Sequence, residues 1–265
     1  MKLDRAAIVL RPRTVSEICD LAMRLTFSLA LPVYGKLAAI TLLPIFLGAA
    51  ALRKFARWEW FYIWLVVFAA ASLAQGVFTV AAGRLIFAED LRVREVLGAF
   101  GRRLFSYIGA LIASRFLLAI ATLPIISLPF AWVALLFVHE ASLLEGAGPA
   151  QACTRASRFV RGRGGEAFAL LLMMLIAQTA GLLIGEVVGQ SVLDDVFQAG
   201  KPFGSLWEDH GSPFAVVGFL LTVPVVATAR FLSYIDTRTR ADGWDIQVRF
   251  LGIASKDSND RRLAA

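Results

Sequence analysis

Few side chains in this 265-residue sequence have a type and spacing that could do chemistry. His139 and Glu140 stand together like the first half of an H-E-x-x-H zinc motif. There, two histidines one helical turn apart hold the metal and the glutamate activates its water. Leu143 and Leu144 occupy the region where the other histidine would stand, and the chain has only 2 histidines. No catalytic zinc site is expected on that count. The remaining histidine, His210, falls in an acidic stretch with Asp194, Asp195, Glu208 and Asp209. These side chains could ligate a divalent cation, but their spacing matches no metal loop. Neither a G-x-S-x-G nor a Walker sequence occurs. The expectation is a non-enzymatic chain with no metal and no cofactor.

Polar residues inside apolar runs offer chemistry of another kind. Arg115 lies about ten residues into the run that starts at 105, roughly 15 Å of helical rise. A charge so deep in a bilayer costs at least about 2.5 kcal/mol and calls for a partner. If the run folds back between 124 and 125, Ala134 is level with Arg115. Glu140 then lies about 9 Å nearer the starting side. Side chains lean toward their helix N-terminus, so in an antiparallel pair these two tilt toward each other. An Arg115–Glu140 ion pair is expected, with Gln75, Gln178 and His139 as fallback partners. The competing expectation is that Arg115 snorkels alone to the headgroups. Another charged group, Asp236, Arg238 and Arg240, follows the last apolar run. It could clamp Arg155 or Arg158, bind lipid phosphates, or form a solvated exit.

Composition says what must position these residues. The chain is 58% hydrophobic and 18% charged, with a mean hydropathy of +0.69. A soluble domain carries about a quarter charged residues, and several runs here reach the ~20 apolar residues that cross a bilayer. This predicts an all-α integral membrane protein. The net charge of +7 is explained by orientation and anionic lipid rather than by nucleic acid.

Six crossings are expected, at about 33–52, 61–83, 105–123, 126–144, 167–188 and 213–235. Residues 104–145 are too long for one crossing, and Pro124 and Pro129 bracket a hairpin in TLPIISLP. Three basic helices are expected on one membrane surface, at 14–29, 91–103 and 149–161, each followed by two spans. The first starts at Thr14 and Glu17, which have capping-box spacing. Its apolar residues Val15, Ile18, Ala22, Leu25 and Leu29 predict a helix lying in the interface or packed on protein. The N-terminus reads as mature sequence, because its first apolar run begins too late for a secretory signal.

Basic residues set the orientation. One side has 5 in 1–28, 5 in 84–104, 4 in 155–163 and 7 in 230–265, against 4 on the other side. Both termini are therefore expected in the cytoplasm. Cys19 and Cys153 fall on that side, so no disulfide is expected. Trp244, Ile246, Val248 and Phe250 alternate with polar residues at strand period, and should pair with residues near 8–10. Residues 1–254 read as one membrane domain and 255–265 as a disordered tail.

Three stretches carry a family resemblance: RPRTVSEICDLAMRL, LLEGAGPAQACTRASRFVRG and YIDTRTRADGWD. They resemble the membrane domain attached to some glycerophosphodiester phosphodiesterases, and its stand-alone bacterial relatives. LLEGAGPAQACTRASRFVRG is similar to that family's "E-G-x-G-P" loop, with Ala156 where the family often has Arg–Ser in register. YIDTRTRADGWD is similar to its closing "Y-x-D-x-R-x-R-x-x-G-x-D". The resemblance implies a six-helix fold in the bacterial inner membrane. It implies no phosphodiesterase activity, which belongs to a separate soluble barrel in the fused members.

Two functions compete on these grounds. The first is a non-catalytic membrane protein that assembles with partner proteins or organises lipid, using its basic surface helices on anionic headgroups. The alternative is a small-molecule transporter or channel built on Arg115, Gln75 and Gln178. A hydrated polar cavity would favour the transporter, and a dry packed core the assembling protein.

Overall fold

Thr14 and Glu17 cap the first helix reciprocally, as their spacing predicts. The Glu17 N–H donates to the Thr14 hydroxyl (3.3 Å), and the Thr14 N–H to the Glu17 carboxylate (2.9 Å). The structure is a computed structural model that describes residues 13–85, 91–124, 126–198 and 202–241. Helix α1 (Val15–Arg24) buries Ile18 and Ala22. A π-helical turn, Leu25–Leu29, leads from it into α2.

Among the described residues, five helices are long and apolar enough to cross a membrane. They are α2 (Leu31–Lys54), α3 (Trp60–Leu85), α4 (Val93–Ala121), α8 (Gly164–Ser191) and α10 (Pro213–Ala241). Between α4 and α8 stand α5 (Ser127–Ala134), α6 (Val138–Leu143) and the basic α7 (Pro149–Val160). The four-residue α9 (Leu206–Asp209) precedes α10. The long helices expose apolar side chains such as Leu43, Leu47, Phe61 and Ile184. An all-α chain with such a surface is a multi-pass membrane protein by the logic that only self-bonded backbones survive in hydrocarbon.

α10 is the centre of the bundle: 78% of its apolar window is buried, against 17% for α2 and α4. It packs on α8, α3, α2 and α1. The α8–α10 contact depends on missing side chains. A Cβ on Gly185 would lie 2.6 Å from both Gly218 Cα and Phe214 O, and Gly181 and Gly189 are equally close to α10. Small residues at this spacing let two helix backbones touch.

The structure departs from two expectations. Residues 91–103 do not form a separate surface helix, because α4 runs unbroken from Val93 to Ala121. Gly98 and Gly101 lie within it, and a glycine costs a helix only about 1 kcal/mol. The crossing expected at 126–144 is not continuous either. It breaks at Leu135–Phe137, where the bonds Leu136 N–H to Val133 O and Val138 N–H to Leu135 O are three-residue turns. No proline or glycine sits at the break. Tertiary contacts hold it, and it aims His139 and Glu140 into the bundle. No strand occurs among the described residues. The pairing expected between 246–250 and 8–10, and the tail 255–265, lie outside them.

Candidate functional site

Inside the ring of α3, α4, α5, α6, α8 and α10 lies a cavity of about 1100 Å³. Each helix contributes one face. Ile108, Leu111 and Arg115 share a stripe of α4, and Leu171, Met174, Leu175 and Gln178 share one of α8, the spacing of helical neighbours. The lining is mostly apolar, with Ser72, Gln75, Ser114, Arg115, His139, Gln178 and Arg230 as its polar residues.

The polar floor is built around a charge that reads in sequence as part of the basic exit. Arg230 is buried within α10, and its Nε donates to Glu140 Oε1 at 2.8 Å, with side-chain exposures of 4% and 0%. Its Nη1 donates to Gln75 Oε1 (2.7 Å) and its Nη2 to the Thr79 hydroxyl (3.4 Å). Glu140 Oε2 has no hydrogen-bond partner among the described residues. A pair so enclosed is held by geometry rather than by net stabilisation, and removing one partner leaves the other's charge stranded.

Arg115 therefore does not pair with Glu140. Its Nη2 donates to the Ser72 hydroxyl at 3.0 Å, and it has no carboxylate partner among the described residues. That pairing requires one continuous helix from the hairpin to Glu140. The break at Leu135–Phe137 voids it, and Arg230 takes the carboxylate. Two basic groups and one acidic group thus face or underlie the cavity.

His139 sits beside them. The Tyr107 hydroxyl lies 2.6 Å from His139 Nδ1 and 2.8 Å from the Ser72 carbonyl oxygen. This requires the Tyr107 ring to lie against α3, and Gly76 makes the room: a Cβ there would be 2.6 Å from the ring. His139 Nε2 is left without a partner among the described residues, on a side chain that lines the cavity. Gln178, on the opposite wall, makes no side-chain hydrogen bond among them either. Of the polar residues singled out from sequence, Gln75, Arg115, His139 and Gln178 all line this cavity, with Glu140 bound beneath it.

The charged group after the last span divides in two. Glu145 accepts from Tyr234 Oη (2.6 Å) and Arg155 (2.8 Å), with Arg238 at 3.3 Å, beside a smaller cavity of about 420 Å³. Asp236 instead accepts the Arg13 N–H (2.8 Å) and pairs with Arg240 (3.1 Å) and Arg163 (3.3 Å). Asp236 thus clamps neither Arg155 nor Arg158, and Arg158 is exposed with no ion pair among the described residues. Sequence reasoning missed Arg163 and Glu145, which lie in the loops flanking α7.

Near the other end, the buried Glu186 accepts from Leu206 N–H (2.8 Å), Gln190 (3.1 Å) and the Ser212 hydroxyl. Asp209 accepts the Ser205 N–H (3.2 Å), and the His210 carbonyl accepts from Trp64 Nε1 (3.1 Å). The structure does not gather Asp194, Asp195, Glu208, Asp209 and His210 into a ligand set, and no metal-competent group forms among the described residues. Comparison with family models, with curated proteins and with solved structures found no match.

Proposed function

We propose that this chain binds and carries a small molecule through a cavity at membrane depth, rather than acting as an inert scaffold. The carrying observation is the cavity itself. At about 1100 Å³ it lies just above the ~300–1,000 Å³ range of small-molecule sites. It has the mixed character of such sites, with apolar walls and a few convergent polar groups. Lipid organisation by a solid bundle, the reading favoured by the basic helices alone, would need no such space. The reading includes no catalytic step.

The same reading takes the chain as six crossings in a bacterial inner membrane, with both ends in the cytoplasm. Parity supports it. Arg13 binds Asp236, and Arg240 Nη2 donates to the Arg13 carbonyl (2.9 Å), so the start and finish of the bundle share one end. Five crossings would separate them. The broken segment 127–143, about 25 Å long at helical rise, supplies the sixth. The basic side chains at this shared end support a cytoplasmic assignment.

Cysteine accessibility tests the cavity. Gln178→Cys, in a chain with Cys19 and Cys153 replaced by serine, should react in membranes with small methanethiosulfonates. It should be blocked when Ala119→Trp fills the space. A thiol inert to charged and neutral reagents alike would mean a dry core, and the scaffold reading would replace this one.

A further inference from the structure

The cavity is not sealed from the bundle's surroundings. Leu65, Phe68, Ile112 and Phe116 line it, yet are 54%, 47%, 65% and 65% exposed. All four lie within the apolar lengths of α3 and α4 rather than at helix ends. The opening is therefore sideways, at the depth where hydrocarbon would surround the protein. A water-soluble substrate would need an opening at a helix end. A molecule already dissolved in the bilayer would enter here.

Charge selects among such molecules. Arg230 is satisfied by Glu140, Gln75 and Thr79. Among the described residues Arg115 has only the neutral Ser72 hydroxyl, so its charge is uncompensated at membrane depth. A guanidinium presents five donors in a planar fork suited to carboxylate or phosphate oxygens. The amide of Gln178 adds a further donor on the facing wall. A cationic ligand would meet two arginines, and an uncharged one would leave Arg115 uncompensated.

Resting on the cavity reading, we propose that the occupant is an anionic amphiphile. Its oxyanion head sits on Arg115, and its hydrocarbon tail lies among Leu65, Phe68, Phe116 and Trp132. A free fatty acid and an acidic bilayer lipid share this chemistry.

Trp132 lines the cavity and supplies the readout. Fluorescence of the protein in nanodiscs of zwitterionic lipid is titrated with tail-brominated palmitate, and with a brominated alkyltrimethylammonium and alcohol of equal length. Palmitate should quench saturably, the quenched component should vanish in Trp132→Phe, and the cation and alcohol should bind at least about tenfold more weakly. Arg115→Gln should abolish the discrimination, and Arg115→Lys should keep part of it. Acidic two-chain lipid in the disc will compete with palmitate if bilayer lipid is the source, and will not if the free acid is. Equal binding of all three head types by the wild-type chain would overturn the proposal without recourse to any variant. So would discrimination unchanged in Arg115→Gln. If Gln178→Cys reacts while these titrations fail, the cavity stands and only its occupant is wrong.

Discussion

Arg230 and Glu140, ninety residues apart, meet at 2.8 Å with almost no exposure. The pair joins α10 to the short α6 at the floor of the cavity. It explains how a helix broken at Leu135–Phe137 keeps its place: a buried ion pair with Gln75 and Thr79 behind it fixes the inner half of the break.

Glu140→Leu or Arg230→Met alone is expected to destabilise the detergent-solubilised protein by about 3–5 kcal/mol, because each strands a buried charge. The double substitution Glu140→Leu with Arg230→Met should recover much of that loss. Thermal unfolding of the four proteins checks it, and strictly additive losses would refute a coupled pair. The exchange Arg115→Glu with Glu140→Arg is not expected to restore stability.

Glycines give a contrast within one bundle. Gly185→Ala places a Cβ 2.6 Å from backbone on α10, and overpacking of this kind costs about 1–3 kcal/mol. Gly48→Ala, in α2, meets nothing within 4 Å and should gain up to about 1 kcal/mol of helix propensity. Unfolding midpoints moving in opposite directions would confirm the α8–α10 contact.

Much of this was legible in sequence, and the exceptions share a cause. The capping box at Thr14 and Glu17 and the apolar runs are local signals, and they appear where the spacing puts them. The polar residues Gln75, Arg115, His139 and Gln178 stood out because each interrupts an apolar face. Arg230 interrupts one too, well inside the run that starts at Pro213, but reads as the first charge of the basic exit. The break at Leu135–Phe137 has no proline or glycine to announce it. G-x-x-x-G spacing at Gly181, Gly185 and Gly189 was a readable sign of the α8–α10 contact. Which arginine reaches Glu140 depends on the rotation of three helices, and hydropathy does not encode that.

Both thiols are expected to be sluggish. Burial pushes Cys19 and Cys153 above the ordinary value of 9.0, because the thiolate is poorly solvated there. The folded protein therefore resists deprotonation that the unfolded chain undergoes at the ordinary thiol value. The stability this contributes is complete below that value and lost as pH rises through the folded values. Alkylation by a neutral maleimide at about pH 7 should be slow and should accelerate on unfolding. Rapid labelling of Cys153 in the native protein would contradict its burial in α7.

A clasp centred on Asp236 closes the shared end of the bundle. Asp236 is nearly buried, at 6% side-chain exposure, and binds the Arg13 N–H, Arg163 and Arg240. It thus ties the approach to α1, the start of α8 and the end of α10. Asp236→Asn keeps the shape but removes the charge and replaces one acceptor oxygen with a donor. Losing such bonds costs about 1–3 kcal/mol, so the unfolding midpoint should fall. Trypsin should also cut sooner around α1, which a loss of global stability alone would not single out. Asp20→Asn is the control: its pair with Arg24 is an exposed i,i+4 contact, 62% and 75% exposed, of a kind that contributes little. Equal proteolysis of the two variants would show that Asp236 does not hold the N-terminal segment.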